Sequence, residues 1–412
     1  MVLFIGAGLG AAAAFILQAT LARSLTVADY GEFSAIYTTA LALTPLAGMG
    51  IAGYLLRCYG RYGDAAKRWM FASGQYISIS LFFSVGMYCL VGFVGHHDYS
   101  MVFYIGSVVI AGLAVELMVL KSQLEGRIGF LAFWQFFPHG IRLAVVLLVL
   151  CTGRVSLDAV VVAIFIACMI IVLFSLKYMR DLLLGNFQLK MVVLAKHELG
   201  VASVKSILRG AWPFGISGFL FLSYFQGTVV LANLYLGKEA AAYVSVCVTF
   251  LTAIYLVPTL VFQRLFSARI SFWLYNDVIT LRRFFWRGAL SMALAGIGVS
   301  SIMFLLFGWV VGIFFGEEYE SSATLFNAAL LSVPARFLGA NFGAFLVTER
   351  QQRGKIAVLM LAVFFNIVAS FFLSKSLGSL GLVYSLVLTE WLVMALFFFT
   401  ARNILKGHED NG

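Results

Sequence analysis

The chain of 412 residues is 62% hydrophobic and only 11% charged. Soluble proteins carry about 25% charged residues on average, so this composition excludes a soluble globular protein. The formal net charge of +10 at pH 7 would suggest a nucleic-acid partner in a soluble protein, but here it has to be interpreted as membrane topology.

Twelve apolar runs are long enough to cross a bilayer as helices, because a hydrocarbon core of about 30 Å takes roughly 20 helical residues. Strands are excluded, since open sheet edges leave backbone groups unpaired in lipid. The sequence therefore predicts an all-α polytopic membrane protein. The predicted spans 1 to 12 are 2–22, 33–56, 71–95, 101–120, 131–150, 159–176, 210–236, 240–263, 288–315, 323–347, 356–373 and 381–400.

Lysine and arginine are distributed unevenly among the predicted loops. The loops after the even-numbered spans, together with the C-terminus, hold 22 of the 28 basic residues, whereas the loops after the odd-numbered spans hold 4. The positive-inside rule therefore predicts that both termini lie in the cytoplasm. The remaining two basic residues, Arg142 and Arg336, fall inside spans.

The stretch Leu21–Phe33, between spans 1 and 2, has an echo 210 positions later in the chain. Leu21 and Ala22 align with Leu231 and Ala232 without a gap. A gapless offset of about half the chain is typical of transporters built from two related halves, so we expect two six-helix lobes related by an internal repeat.

Several short motifs resemble a known family. Leu21-Ala-Arg-Ser-Leu followed by Asp29-Tyr-Gly-Glu-Phe-Ser is similar to the first hairpin of the multidrug/oligosaccharidyl-lipid/polysaccharide (MOP) exporters, and in particular to Wzx-type flippases of O-antigen repeat units. Arg209-Gly-Ala-Trp-Pro213, Leu236-Gly237 with Tyr243, and Phe315-Gly316-Glu-Glu-Tyr319 agree with the same pattern. The resemblance spans the whole length of the chain.

This resemblance implies a function and a location. It implies a flippase in the bacterial inner membrane that moves an undecaprenyl-diphosphate-linked oligosaccharide, an O-antigen or similar repeat unit, from the cytoplasmic to the periplasmic leaflet. The route implied is alternating access through a cationic cavity. Membrane lipids are implied partners, and a polysaccharide polymerase and a chain-length regulator are candidates. We expect no enzyme activity, no nucleic-acid partner and no cofactor.

The chain divides into an N-terminal lobe at 1–177, a cytoplasmic linker at 178–209, a C-terminal lobe at 210–401 and a cytoplasmic tail at 402–412. The linker surrounds an apolar patch with basic residues, which suits an amphipathic segment on an anionic leaflet. No loop offers room for a nucleotide-binding domain, and no phosphate-binding glycine-rich loop motif occurs. We therefore expect no ATP-driven step.

Ionisable residues inside spans are functional candidates, because each costs about 2.5–3.5 kcal/mol on insertion scales. Arg142 and Arg336 each follow a proline, and a guanidinium suits a diphosphate, so we predict that both bind substrate. The structural alternative is that these residues form two buried ion pairs, Glu116 with Arg142 and Glu390 with Arg336. Glu116 and Glu390 are also candidates for proton coupling.

A second basic set lies at span ends, where snorkelling to headgroups is the simplest explanation. The family resemblance implies instead that arginines on spans 1, 2 and 8 line the cavity. Arg23 falls on the motif itself, whereas Arg57 and Arg264 match only by span. Further predicted cavity residues are Gln18 on span 1 and Gln226 and Asn233 on span 7.

Two other function classes stay open. A multidrug or cation antiporter of the same superfamily would be expected to carry a carboxylate on span 1 or 7, and both spans lack one. A polytopic polymerase or glycosyltransferase usually has a large outer loop, whereas the predicted outer loops here are short. The five cysteines are scattered singly, and His96-His97 lacks a second ligand pair, so no metal site is expected.

Overall fold

The computed structural model describes residues 2–95, 97–153, 155–190, 203–259, 277–346 and 349–407, together with residues 262, 266, 270 and 273. Within these ranges every regular element is a helix. They are α1 (Val2–Ser24), α2 (Val27–Gly48), α3 (Ile51–Tyr62), α4 (Met70–Val94), α5 (Tyr99–Leu124), α6 (Ile128–Cys151), α7 (Leu157–Leu183), α8 (Val204–Phe225), α9 (Gly227–Leu236), α10 (Lys238–Thr259), α11 (Val278–Phe314), α12 (Glu320–Ala329), α13 (Val333–Ala344), α14 (Glu349–Leu377) and α15 (Ser379–Gly407). Short 3₁₀ segments lie at Gly63–Trp69, Glu317–Tyr319 and Leu330–Ser332.

Within the described residues, ten helical segments are long and apolar enough to cross a membrane, or up to eleven when the broken pair α8 and α9 is taken as one span. The expectation of an all-α, multi-pass membrane protein is confirmed. Predicted span 10 is divided into α12 and α13 by a 3₁₀ turn, and predicted span 7 is divided at Gln226.

The chain forms two compact units, Met1–Leu222 (unit 1) and Ser223–Gly412 (unit 2). The lobes predicted at 1–177 and 210–401 stay a prediction. The predicted linker at 178–209 begins inside α7, which continues to Leu183, and its residues 191–202 lie outside the described part of the chain.

In unit 1, α1 packs along α6, α5 along α7, and α2 against α4 and α5. The glycines of α1 permit the close approach to α6, since a Cβ on Gly6 would lie 2.6 Å from the carbonyl oxygen of Ala132. In unit 2, α14 packs along α15, and α13 packs between α11 and α15.

The first hairpin and its predicted echo have matching positions. α1 ends at Ser24 and α2 begins at Val27, while α9 ends at Leu236 and α10 begins at Lys238. The corresponding helix ends are thus 212 and 211 positions apart, close to the offset of 210 found in the sequence.

The structure corrects the second predicted span. α2 begins at Val27, six residues before the predicted start, because Thr26 Oγ1 accepts a hydrogen bond from the backbone N–H of Asp29 at 3.1 Å. It ends at Gly48, because Met49 and Gly50 have positive φ angles of 42° and 78°. Arg57 therefore does not end span 2 but lies on the separate helix α3.

Candidate functional site

Arg142 is the buried cation of unit 1. It lies one turn after Pro138 in the middle of α6, and its side chain is only 4% exposed. Its Nη1 donates a hydrogen bond to the Tyr37 hydroxyl of α2 at 3.3 Å, and its Nε is buried with no hydrogen-bond partner. No ion pair of Arg142 occurs in the part of the chain that the structure describes. Its positive charge thus lies beside two uncharged groups, the Tyr37 hydroxyl and the Cys168 thiol.

Glu116, the carboxylate that could have paired with Arg142, lies elsewhere. Its side chain on α5 faces Gly48 and accepts a hydrogen bond from the backbone N–H of Ala52, in the first turn of α3. A carboxylate at this position compensates the unpaired N–H groups and the positive end of a helix. Glu116 thus caps α3, and its part in proton coupling stays a prediction.

The break between α2 and α3 is held by backbone contacts as well. Tyr76 donates a hydrogen bond to the carbonyl oxygen of Met49 at 3.0 Å. A Cβ at Gly50 would collide with Ala211 and Gly215 of α8, so only glycine fits this close approach. The break between α2 and α3 is thus held by contacts from α4, α5 and α8.

The predicted span-end residues of unit 1 have separate surroundings. Arg57 is exposed on α3, with its guanidinium carbon 4.8 Å from the centre of the Phe214 ring. Arg23 is exposed in the last turn of α1, where a cation is favourable to the helix dipole. Gln18 Oε1 accepts a hydrogen bond from the Tyr30 hydroxyl at 3.2 Å. Arg264 lies outside the described residues.

Unit 2 holds the second buried arginine in a paired arrangement. Arg336 Nη1 of α13 lies 4.0 Å from Glu390 Oε2 of α15, with the carboxylate side chain only 1% exposed. The Tyr224 hydroxyl donates a hydrogen bond to Glu390 Oε1 at 3.2 Å. The Arg336–Glu390 ion pair, predicted as the structural alternative, is therefore present.

A second tyrosine completes this group. The guanidinium carbon of Arg336 lies 5.3 Å from the centre of the Tyr255 ring, within the range of a cation–π interaction. The Tyr255 and Ser332 hydroxyl oxygens are 2.6 Å apart. We call Tyr224, Tyr255, Ser332, Arg336 and Glu390 the unit 2 cluster. The formal charges of Arg336 and Glu390 cancel, and Lys355 is a neighbouring cation that interacts with Arg336.

The other predicted residues of span 7 lie at the ends of α9. Gln226 is 9% exposed and occupies the break between α8 and α9. Asn233 is half-buried in the last turn of α9, and its carbonyl oxygen accepts a hydrogen bond from Gly237 at 3.1 Å. Among the described residues no group of three or more His, Cys, Asp or Glu side chains could hold a metal ion.

No family model matches the sequence, and no curated protein matches it. Solved structures do match. An inward-facing multidrug resistance MATE family transporter of the MOP superfamily has a TM-score of 0.70 at 13% identity, over 98% of this chain and 96% of that chain. The lipid II flippase MurJ, in an inward closed conformation, has a TM-score of 0.61 at 10% identity, over 97% and 86%. A MOP superfamily transporter from Pyrococcus furiosus has a TM-score of 0.59 at 13% identity, over 98% and 95%.

The chain has the fold of MOP superfamily transporters. At these identities the likeness concerns the fold alone. Sequence patterns identified both buried arginines and Glu390. They did not predict that Tyr37 and Tyr255 contact those arginines. Each of these tyrosines lies in an apolar helix near a proline or threonines, and that polar content was the available signal.

Proposed function

We propose that this chain is a flippase for an undecaprenyl-diphosphate-linked oligosaccharide, an O-antigen or similar polysaccharide repeat unit. It would carry the head group from the cytoplasmic to the periplasmic leaflet of the bacterial inner membrane by alternating access through a cationic path. Its MOP transporter fold supports this, since the fold also occurs in a protein named as a lipid II flippase. The motifs around Leu21–Phe33 and Arg209–Pro213 support it from the sequence.

The physical need for such a protein is large. A head of about three sugars has on the order of ten hydroxyls, and each costs about 4–8 kcal/mol to transfer from water into hydrocarbon. A barrier of tens of kcal/mol prevents spontaneous crossing on a useful timescale. A polar path removes that barrier for the head, while the prenyl tail stays in lipid.

The single observation that carries the proposal is the state of Arg142. A guanidinium stays charged in a protein, and burying it without an anion is costly. Arg142 has the Tyr37 hydroxyl and the Cys168 thiol as partners, and its Nε is buried and unpartnered. An arginine of this kind has spare donors for the oxygens of a diphosphate, which bind guanidinium in a bidentate manner. Arg336 is the weaker candidate, because Glu390 already compensates its charge.

Exchange of Arg142 tests the proposal. With the protein still inserted in the membrane, Arg142→Ala should abolish appearance of the repeat unit on the periplasmic side, and Arg142→Lys should restore it only in part. Arg142→Ala/Glu116→Gln should stay inactive, because the two side chains form no pair. Recovery of export in the double variant would show that Arg142 serves to neutralise Glu116 and would refute the substrate role.

A second candidate, a multidrug antiporter, is favoured by the MATE family transporter among the structural neighbours and by the buried carboxylate of Glu390. The two functions differ in what the cell loses. Deletion of a flippase should stop surface polysaccharide without changing drug sensitivity, whereas deletion of an antiporter should lower the inhibitory concentration of cationic drugs. Sensitivity to drugs with intact surface polysaccharide would select the antiporter.

The proposed topology places both termini in the cytoplasm, as the distribution of lysine and arginine predicts. Reporter fusions after His97 and Lys238 should give an external signal, and fusions after Arg68, Lys196 and Arg353 an internal one. An external signal at Lys196 would contradict the topology on which the proposal rests.

A further inference from the structure

Helix α11 of unit 2 is much longer than a bilayer requires. It runs from Val278 to Phe314, 37 residues or about 55 Å at 1.5 Å per residue, whereas the hydrocarbon core is about 30 Å thick. Part of the helix must therefore lie outside the core. The exposed side chains show which part.

Two tryptophans mark the limits of the apolar section. Trp286 is 51% exposed and Trp309 is 72% exposed. They are 23 residues apart, or about 34 Å along the helix, close to the distance between the two aromatic belts of a membrane protein. No charged residue lies between Gly288 and Phe314, and exposed Leu, Ile and Phe side chains cover that section.

The arginines of α11 gather at one of these limits. Arg282, Arg283 and Arg287 are all exposed and lie four residues before, three before and one after Trp286. At 3.6 residues per turn, all three fall within about 100° of Trp286 around the helix axis. Arg283 also continues the exposed apolar line that runs through Leu290. The basic group thus faces the same side as the exposed apolar residues.

One acidic residue, Asp277, lies in the same stretch of sequence as these arginines. Asp277 caps α11 by accepting a hydrogen bond from the backbone N–H of Thr280 at 2.9 Å, and its hydrogen bonds with Thr280 lower the pKa of its carboxyl. It is therefore ionised at neutral pH and interacts with Arg283. The sequence from Asp277 to Gly288 therefore has a formal charge of +2.

We infer that Arg282, Arg283, Arg287 and Trp286, the Trp286 patch, bind the headgroup of an anionic phospholipid in the leaflet at the N-terminal end of α11. A guanidinium matches the phosphate in charge and geometry, and the indole suits the boundary between headgroup and acyl chain. The positive charge distribution predicts that this is the cytoplasmic leaflet. The patch is separate from the flippase residues, so the inference does not depend on the proposed substrate.

Lipid binding to the full-length protein in detergent tests the inference. Each basic residue near an anionic surface contributes about a fivefold gain in affinity. Arg282→Gln/Arg283→Gln/Arg287→Gln should therefore lower the affinity for phosphatidylglycerol at least tenfold by native mass spectrometry, and affinity for phosphatidylcholine should not change. Wild-type binding should weaken as salt is raised.

A matched control removes the same net charge from other exposed sites. Arg61→Gln/Arg180→Gln/Arg402→Gln takes three arginines from positions without an exposed tryptophan beside them and should keep most of the affinity. Equal losses in both triple variants would show a general charge effect and overturn the inference. Competition for the patch by inorganic phosphate as strong as that by the lipid would also overturn the inference, since the acyl region would then contribute nothing.

The leaflet is tested separately. In a chain whose five native cysteines are replaced by serine, the thiol of Asp277→Cys should react with a membrane-impermeant reagent only in inside-out vesicles. Labelling in intact spheroplasts would place the Trp286 patch at the outer leaflet and overturn that part of the inference. Neither labelling result bears on the proposed flippase substrate.

Discussion

The two units bury an arginine in opposite ways. In unit 2, Arg336 lies 4.0 Å from the Glu390 carboxylate and above the Tyr255 ring, so these two charges compensate each other. Lys355 is a further cation that interacts with Arg336. In unit 1, Arg142 is 4% exposed and has the Tyr37 hydroxyl as its hydrogen-bond partner. A compensated pair is explained by structure alone, whereas an uncompensated buried charge requires another explanation.

This difference indicates which of the two arginines can bind an anionic ligand. Breaking a buried ion pair leaves an isolated charge and is strongly destabilising, so the members of the unit 2 cluster hold one another. A guanidinium with spare donors instead gains from an incoming anion. We therefore propose that Arg142 of unit 1 binds the anion and that the unit 2 cluster is structural. Four predictions test this proposal, in order of expected size.

The largest effect concerns the driving force. A diphosphate carries about two negative charges, and an interior-negative potential of 100 mV is worth about 2.3 kcal/mol per charge. Outward movement of an uncompensated head therefore gains roughly 4–5 kcal/mol. In proteoliposomes, a potential imposed without a pH gradient should drive flipping, and Glu390→Gln should keep this response per folded molecule.

The opposite result would change the role proposed for Glu390 of unit 2. Flipping that ignores the potential, follows a pH gradient and is lost in Glu390→Gln would make Glu390 a proton-coupling residue. The scaffold role of the unit 2 cluster would then be wrong.

The second prediction concerns the stability of the pair. Arg336→Ala should lower the free energy of unfolding by about 3–5 kcal/mol, because it leaves the Glu390 carboxylate buried and uncompensated. Arg336→Ala/Glu390→Gln should recover at least about 1 kcal/mol of that loss, since the isolated charge is gone. Denaturant titration in detergent micelles measures both. Lys375→Ala, which removes an exposed cation 4.0 Å from the Phe371 ring centre, is the control and should cost no more than about 1 kcal/mol.

Sequence patterns predicted much of the fold because membrane burial leaves few options. Apolar run length located the spans, and the offset of 210 located both first hairpins. The break at Met49–Gly50 is not fixed by apolar run length, because contacts with α8 and Glu116 determine where it occurs. Apolar length alone also missed the polar first turn of α2, which begins at Val27.

In the candidate site, the depth of each residue along its helix determines which side chains can pair. Glu116 lies 8 residues before the end of α5 at Leu124, and Arg142 lies 14 residues after the start of α6 at Ile128. Measured from the connection between the two helices, these positions are about 12 Å and 21 Å deep, so the two charges differ in depth by about 9 Å. Helix order suggested this pair, whereas counting residues from the shared turn argues against it. The contacts between the tyrosines and the two arginines depend on how each helix is rotated about its axis, which the sequence pattern does not fix.

The third prediction separates the two residues of unit 1. Tyr37→Phe should cost about 1.5–3 kcal/mol of unfolding free energy, the usual range for a hydrogen bond to a charged group. Arg142→Met should change stability by less than about 1 kcal/mol, because removing the buried charge offsets the loss of its hydrogen bond. A loss as large as that of Arg336→Ala would mean that Arg142 has an ionic partner after all. The same micelle titrations measure it.

The smallest effect tests whether Glu116 and Arg142 are independent. Because Glu116 caps α3 at Ala52, Glu116→Ala should cost about 0.5–2 kcal/mol, the range for loss of a side-chain cap. Glu116→Gln keeps an acceptor oxygen and should cost less. Combined with Arg142→Met, either change should be additive to within about 0.5 kcal/mol, since the side chains make no contact. Thr26→Ala, which removes the cap of α2, is the matched control and should be equally additive with Arg142→Met. A coupling energy above about 1 kcal/mol for Glu116 alone would show that the two charges interact, and unit 1 would then follow the paired arrangement of unit 2.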